Sequence, residues 1–426
     1  SGPRGWCWSS STPWPTPHEV TQMRQPRGLH PVKRRCRRES AAPQLAAPRR
    51  EATRMNDLTV LVGNGLSIAF NPDLALKPLT TQLLRVMEDE SAGAESPVTA
   101  IRNLARQALP EGATTADDFE VLVGAVAAQE DSLAILESLA AAMATEDHDA
   151  ISSSLQRVQD FTRRVRDISI SHILEAIGER SHARMDLSWN LYQLLLSIHD
   201  AFDGRIVYGN LNYDAILLSG LLETAKKDLA DLGDGRHSVP FLSSTVTILR
   251  KDATFPRTKR IRLLHLHGSL TYWGIPESPA IGVKLTTEFI RAQDLWRRVR
   301  HDPELRWRPL VVLTSQREKS AHVERYPFNL AYAGLAGSLA DTNWWLVMGY
   351  SFRDQCVNEL LRREFSRREI KPKVLIVTYG DELLREDVEF AFGWAAEDQD
   401  SSDWLSISRE GADAMPSTQE WAAFIP

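Results

Sequence analysis

A chain of 426 residues is long enough for two or three domains, or for one domain with a large insertion, and composition alone leaves both open. With 43% hydrophobic and 25% charged residues it is ordinary for a globular protein, and no apolar run nears the roughly 18 to 20 residues of a membrane helix. Cys7, Cys36 and Cys356 lie too far apart in sequence for a disulfide framework or a four-cysteine zinc site, so a cytoplasmic protein without a structural metal is expected. The net charge of −6 is unevenly spread: residues 1–54 hold 11 Lys and Arg against 3 Asp and Glu, leaving the remainder at 39 against 53, or −14. A body that acidic lacks the basic face that phosphate contacts need, which argues against direct nucleic-acid binding.

Residues 1–54 are rich in Pro, Arg and Ser and have no sustained period, which predicts a disordered basic extension upstream of a start at Met55. Leu58-Thr59-Val60-Leu61-Val62 then reads as a buried strand, closed by the turn Gly63-Asn64-Gly65. From 81 to 200 the pattern is Ala- and Leu-rich and helical, a large insertion. Strands return at 205–208, 261–266, 310–313, 344–348 and 373–377, with helices between several of them, while 230–260 reads as a long polar loop. Alternating strands and helices predict an α/β fold with a doubly wound, mainly parallel, Rossmann-like sheet. The tail over 396–426 is mixed, with an edge strand expected near 403–407.

Four polar clusters each follow an apolar strand, where a parallel α/β sheet faces its ligand. In the first, Gly63, Asn64, Gly65 and Ser67 form a strand-to-helix turn whose glycines admit close backbone approach and whose helix offers free amides to a pyrophosphate. A tight turn without a ligand would use the same residues, since the third glycine of a GxGxxG motif is missing. The second cluster, Asn210-Leu211-Asn212-Tyr213-Asp214, offers more amide and carboxylate groups than the cap of the helix over 215–225 requires. In the third, alternation puts His265 and His267 on one face, and Gly268 leaves room beside the His267 ring; His265 reads as a core histidine and His267 as a proton acceptor. The fourth, Gly349-Tyr350-Ser351-Phe352-Arg353-Asp354, is a small-residue turn before a helix over 355–365, with Gly349 and Ser351 placed to hold a ribose or phosphate.

In this order the four clusters resemble the sirtuin superfamily, with Gly63/Gly65/Ser67 for its GAG-x-S turn, Asn212/Asp214 for its Asn-x-Asp loop, His267/Gly268 for its His-Gly pair and Gly349/Ser351 for its later Gly-x-Ser turn. The resemblance implies an NAD-binding domain over 55–80 and 201–395. No four-cysteine ribbon is present, and the place of the deacylases' GIPDFR stretch reads Ile68-Ala69-Phe70-Asn71-Pro72-Asp73-Leu74, which points away from deacylation. The wording is closer to bacterial sirtuin-like NAD hydrolases, several of which defend against phage by depleting NAD⁺. The implied activity is therefore an NAD⁺ glycohydrolase releasing nicotinamide and ADP-ribose. Asn212 would position water and the ribose, and His267 would act as base. Asn64, Asp214, Gly268 and the remaining turn residues would hold NAD⁺ as substrate, with no metal. The alternatives are an NAD-dependent protein deacylase and a regulatory module that binds NAD⁺ or ADP-ribose without turnover. Regulation by a protein partner or by self-assembly stays open, and no membrane association is expected.

Overall fold

The structure is a computed structural model describing residues 56–89, 97–108, 119–143, 148–183, 189–313, 316–394 and 400–426. The extension expected over 1–54 lies outside the described residues. Strand β1 (Leu58–Val62) passes through Gly63 into α1 (Asn64–Phe70). Helices α2 (Leu76–Asp89), α3 (Pro97–Ala108), α4 (Phe119–Met143), α5 (His148–Ala183) and α6 (Trp189–Ala201) follow. Next come β2 (Ile206–Asn210), α7 (Ile216–Ala225), β3 (Leu229–Asp231), β4 (Ser238–Phe241), β5 (Ser244–Ile248), β6 (Ile261–His265), β7 (Gly268–Ile275), β8 (Ser278–Lys284), α8 (Thr287–Ala292), α9 (Leu295–His301) and β9 (Arg308–Val311). The chain ends with α10 (Gln316–Val323), α11 (Phe328–Asp341), β10 (Trp344–Met348), α12 (Gln355–Ser366), β11 (Lys373–Val377), α13 (Arg385–Phe392), β12 (Leu405–Ser408) and α14 (Gln419–Phe424).

Seven strands form a parallel sheet in the order β12-β11-β10-β1-β2-β6-β3. Every residue of β1 and β2 is buried, as expected of strands covered on both faces. Alternation sorts their side chains. Leu61, Val207, Leu264, Trp345, Val347, Val374 and Ile376 pack on one face with residues of α11, α12 and α13. Leu58, Val60, Val62, Ile206, Tyr208, Leu263, Leu346 and Leu375 pack on the other with residues of α6, α7 and α14. The protein is thus an α/β fold with a doubly wound, Rossmann-like sheet. The chain works outward from β1 through β2 to β6, then returns to β10 on the other side of β1 and works outward to β12, which puts the topological switch point between β1 and β10. The strand expected near 403–407 is β12, the parallel edge beside β11.

Two expectations need correction. The stretch 230–260 is not one loop, because it contains β4 and β5 and part of β3. The strand expected at 310–313 lies at 308–311 and does not join the parallel sheet; as β9 it pairs antiparallel with β7 in a second sheet of order β4-β5-β8-β7-β9. Of these, β4, β5 and β9 are short and only partly buried, and Pro240 and Pro309 interrupt the apolar pattern of β4 and β9, so no periodic signal marks them.

The second sheet is where the helical insertion docks. Leu79 and Leu83 of α2, Phe119 and Val123 of α4, and Ile173, Leu174 and Ile177 of α5 share a core with Phe241, Trp273, Val283 and Trp296. Ion pairs Arg300–Glu175 at 2.7 Å and Arg308–Asp167 at 2.8 Å fasten α5 to the same region. Trp273 is fully buried, its indole N–H donates to the Leu270 carbonyl at 3.0 Å, and its ring lies 5.1 Å from that of Trp296. Trp273→Ala should therefore cost roughly 3–5 kcal/mol. Chemical denaturation followed by circular dichroism would read this as a lower midpoint; an unchanged midpoint would show that this core is not cooperative with the rest.

Candidate functional site

The strand register aligns the four polar clusters. Val62 pairs with both Met348 and Asn210, Asn210 with His265, and Met348 with Val377, so these strands end level at their carboxyl edge. The turns that follow are adjacent in space because the strands are adjacent in the sheet.

The first and fourth clusters pack backbone on backbone. The Gly65 amide donates to the Gly349 carbonyl at 2.9 Å, and the Gly63 amide to that of Met348 at 2.9 Å. A Cβ on Gly63 would lie 2.5 Å from the Gly349 oxygen, and one on Gly65 2.6 Å from the Gly349 Cα. Gly349 itself has φ +61°, and its Cβ would sit 2.2 Å from the Leu66 nitrogen. Gly63 and Gly65 were expected at a pyrophosphate and Gly349 at a ribose or phosphate; here they also make room for each other. The α1 amides expected to meet that anion are partly spent as well, since Leu66 N–H donates to Gly63 O at 3.1 Å. Asn64 reaches sideways to the Leu74 carbonyl at 3.4 Å, and Ser351 is exposed.

The second cluster holds the first turn in place. The Asn212 side-chain amide donates to the Gly63 carbonyl at 3.0 Å and to Ser67 Oγ at 2.8 Å, and Ser67 donates to Asp214 Oδ2 at 2.6 Å. Asp214 Oδ1 accepts the Ile216 amide at 2.9 Å, a local turn at the head of α7. Burial pushes the Asp214 carboxyl above the usual range, against the pull of Ser67 and of the backbone amides. Asn210 folds back onto the Asn212 backbone, its Oδ1 accepting that amide at 3.2 Å.

In the third cluster His267 sits at the corner between β6 and β7, where the chain changes sheets. Gly268 has φ +88°, and a Cβ there would lie 2.0 Å from the Leu310 carbonyl oxygen. His267 Nε2 lies 3.2 Å from Asp354 Oδ2 and 3.3 Å from the Tyr332 hydroxyl. Lys319 Nζ is 2.7 Å from the same Asp354 oxygen, and Asp354 Oδ1 caps α12 by accepting the Val357 amide at 3.1 Å. Burial lowers His267, the Lys319 charge lowers it further, and Asp354 and Glu120 oppose without prevailing, so the ring is neutral. Burial works to raise Asp354, but the His267 hydrogen bond and Lys319 hold it well below the carboxylate range. Lys319 is likewise kept protonated: burial opposes its charge, and Glu120 and Asp354 outweigh burial. His265 is a core histidine as expected, lowered to about 4 by burial.

The insertion reaches this site through Glu120 of α4. The Tyr213 hydroxyl lies 2.9 Å from Glu120 Oε1 and 2.9 Å from the Val312 carbonyl, and the Val312 amide donates to the His267 carbonyl at 2.9 Å. Sequence reasoning did not find Glu120, Lys319 or Tyr332, and took Asp354 for part of a turn. Asp354 did carry a signal, an acid just before a helix, but a cap is all that signal announces.

Gly63, Gly65, Ser67, Asn212, Asp214 and Gly349 are thus packed on one another at one sheet edge, with His267 on the same edge joined to Asp354 and Tyr332; Asn212 is 5% exposed and His267 4%. A cavity of about 370 Å³ lies elsewhere, between α5 and the start of α7, lined among others by Phe70, Glu179, Tyr192, Ile216, Arg291 and Trp296. Among the described residues no group of three or more His, Cys, Asp or Glu is placed to hold a metal ion, and no helix is long and apolar enough to cross a membrane.

No protein-family profile and no curated protein matches the chain. Among solved structures it is similar to Sir2 in complex with the inhibitor EX-527, 2′-O-acetyl-ADP-ribose and a deacetylated p53 peptide. The two are 13% identical over 55% of this chain and 72% of that one, with a TM-score of 0.28. At that score the likeness adds no argument to the geometry above.

Gly349→Ala tests the packing of the two turns directly. A left-handed backbone costs a residue with a Cβ about 1–3 kcal/mol, and the clash with Leu66 adds to it, so the melting temperature should fall without any ligand present. A parental melting temperature with lost NAD⁺ binding would show instead that Gly349 serves a ligand.

Proposed function

We propose that the protein is an NAD⁺ glycohydrolase whose reacting centre is formed by Asn212 and His267, with depletion of NAD⁺ in defence against phage as its role. One observation carries the proposal: the strand register brings four polar turns side by side around a topological switch point, the place where open α/β sheets bind ligands. The order of those turns is the sirtuin-like one.

The chemistry asked of the site is modest. Nicotinamide leaves with the electron pair of its bond to C1′ of the ribose, water supplies the new C1′–O bond, and the water proton passes to His267, whose neutral ring is fit to accept it. Asn212 orients the water and the sugar by an amide that Gly63 and Ser67 already hold in place. Asp214, bound to Ser67 and to the α7 backbone, keeps this loop in shape. Gly63, Asn64, Gly65 and Ser67 would lie along the pyrophosphate, and Gly268, Gly349 and Ser351 along the ribose units. The buried centre requires the turn over 349–353, ahead of the anchored Asp354, to move aside before NAD⁺ reaches it. The closed centre and the separate cavity favour a second reading, a module that binds NAD⁺ or ADP-ribose without turnover. Protein deacylation has no comparable support.

Nicotinamide release from NAD⁺ separates these. Folded Asn212→Ala and His267→Ala should each lose roughly 10²-fold or more in turnover, the scale of a positioned acid–base or orienting group, while ADP-ribose affinity weakens far less. Parental rates in both would remove the pair from the mechanism. Tight binding with no release by the parent would establish the binding module.

A further inference from the structure

Asp354 makes more bonds than a helix cap needs. Its Oδ1 accepts the Val357 amide at 3.1 Å, and Oδ2 faces both Lys319 Nζ at 2.7 Å and His267 Nε2 at 3.2 Å. Asp354 is 6% exposed and Lys319 3%, so this pair forms where water competes little. A carboxylate bound to an ammonium ion only accepts hydrogen bonds. The nitrogen of a neutral imidazole that faces it must therefore carry the ring proton. With the proton there, the Tyr332 oxygen, 3.3 Å from the same nitrogen, can accept from it as well. Nδ1 is left with its lone pair and, among the described residues, without a hydrogen bond.

We infer that Asp354, anchored by Lys319 and the α12 amide, is the positioning residue of His267: it fixes the ring and its Nε2–H tautomer and so makes Nδ1 the proton acceptor of the centre. What Nδ1 then does rests on the hydrolase reading, whereas the tautomer does not. In the hydrolytic step the water proton passes to Nδ1 as the C1′–O bond forms and nicotinamide departs, and Asp354 stays ionised beside the imidazolium that results. The groups acting on the ring come from separate elements: Asp354 at the head of α12, Lys319 on α10, Tyr332 on α11 and Glu120 on α4. Cys356 lies close enough to feel Asp354, and burial together with that charge pushes its thiol up to about 11, so it contributes no anion.

Nitrogen NMR of the full chain labelled in its histidines tests the assignment without any substrate, the His267 signals being identified by their loss in His267→Gln. The parent should show a protonated Nε2 and an unprotonated Nδ1. In Asp354→Asn the amide can donate as well as accept, so the opposite tautomer should appear, and kcat for nicotinamide release should fall roughly 10²- to 10⁴-fold with KM little changed. In Lys319→Met, which keeps Asp354, the cation that depresses the ring is gone, so His267 should titrate at higher pH than in the parent. A protonated Nδ1 in the parent, or a parental His267 spectrum in folded Asp354→Asn, overturns the assignment. If Asp354→Asn does not fold, Lys319→Met decides, and no upward shift counts against it. The expected tautomers with no nicotinamide released by the parent would sink the hydrolase reading and uphold the positioning role.

Discussion

Two glycine turns meet at the centre of the main sheet, and their contact sets the geometry around it. The sheet winds in both directions from β1, so the ends of β1 and β10 are neighbours although most of the chain separates them. Gly63 and Gly65 on one side and Gly349 on the other approach until the Gly65 amide reaches the Gly349 carbonyl at 2.9 Å. Side chains would hold these backbones apart. Once they touch, Asn212 can span from its own loop to Gly63 and Ser67, and the turn after Gly349 can carry Asp354 to His267. Glycine here serves the contact of one backbone turn with another.

A second constraint is electrostatic. Lys319, Asp354 and Glu120 bring charge into a region with little water, and such charges are tolerated only when paired and hydrogen-bonded. Asp354 accepts from the Val357 amide and from Lys319 and faces His267 Nε2 at 3.2 Å, and Lys319 meets the opposite charges of Asp354 and Glu120. Glu120 belongs to the helical insertion, and it also meets Tyr213, which stands between Asn212 and Asp214 in the chain. The insertion is thereby joined both to the amide side of the site and to its histidine. Any movement of α4 relative to the sheet would be felt at both.

Much of the parallel sheet was legible because its strands are buried on both faces and read as unbroken apolar runs, as in Leu58–Val62 and Trp344–Met348. The polar residues after those strands were legible for the same reason. The antiparallel sheet was not, since Ser238–Phe241 and Arg308–Val311 are short and half-exposed and carry proline, a pattern shared with loops. Nor could the glycines be told apart in purpose: a turn that admits a phosphate and a turn that admits another turn need the same missing Cβ. The partnership of His267 with Asp354 and Lys319 was hidden more deeply, because three separate elements supply it and the capping role of Asp354 already accounts for its place in the sequence.

The location of a bound nucleotide bears most directly on this arrangement. A crystal structure of the full chain with ADP-ribose should show the diphosphate against Gly63–Ser67, with Asn212 beside the proximal ribose and the turn over 349–353 shifted from its place on the glycines while Asp354 stays on His267. Density for ADP-ribose in the cavity between α5 and α7, with both glycine turns still in contact and His267 still buried, would contradict it.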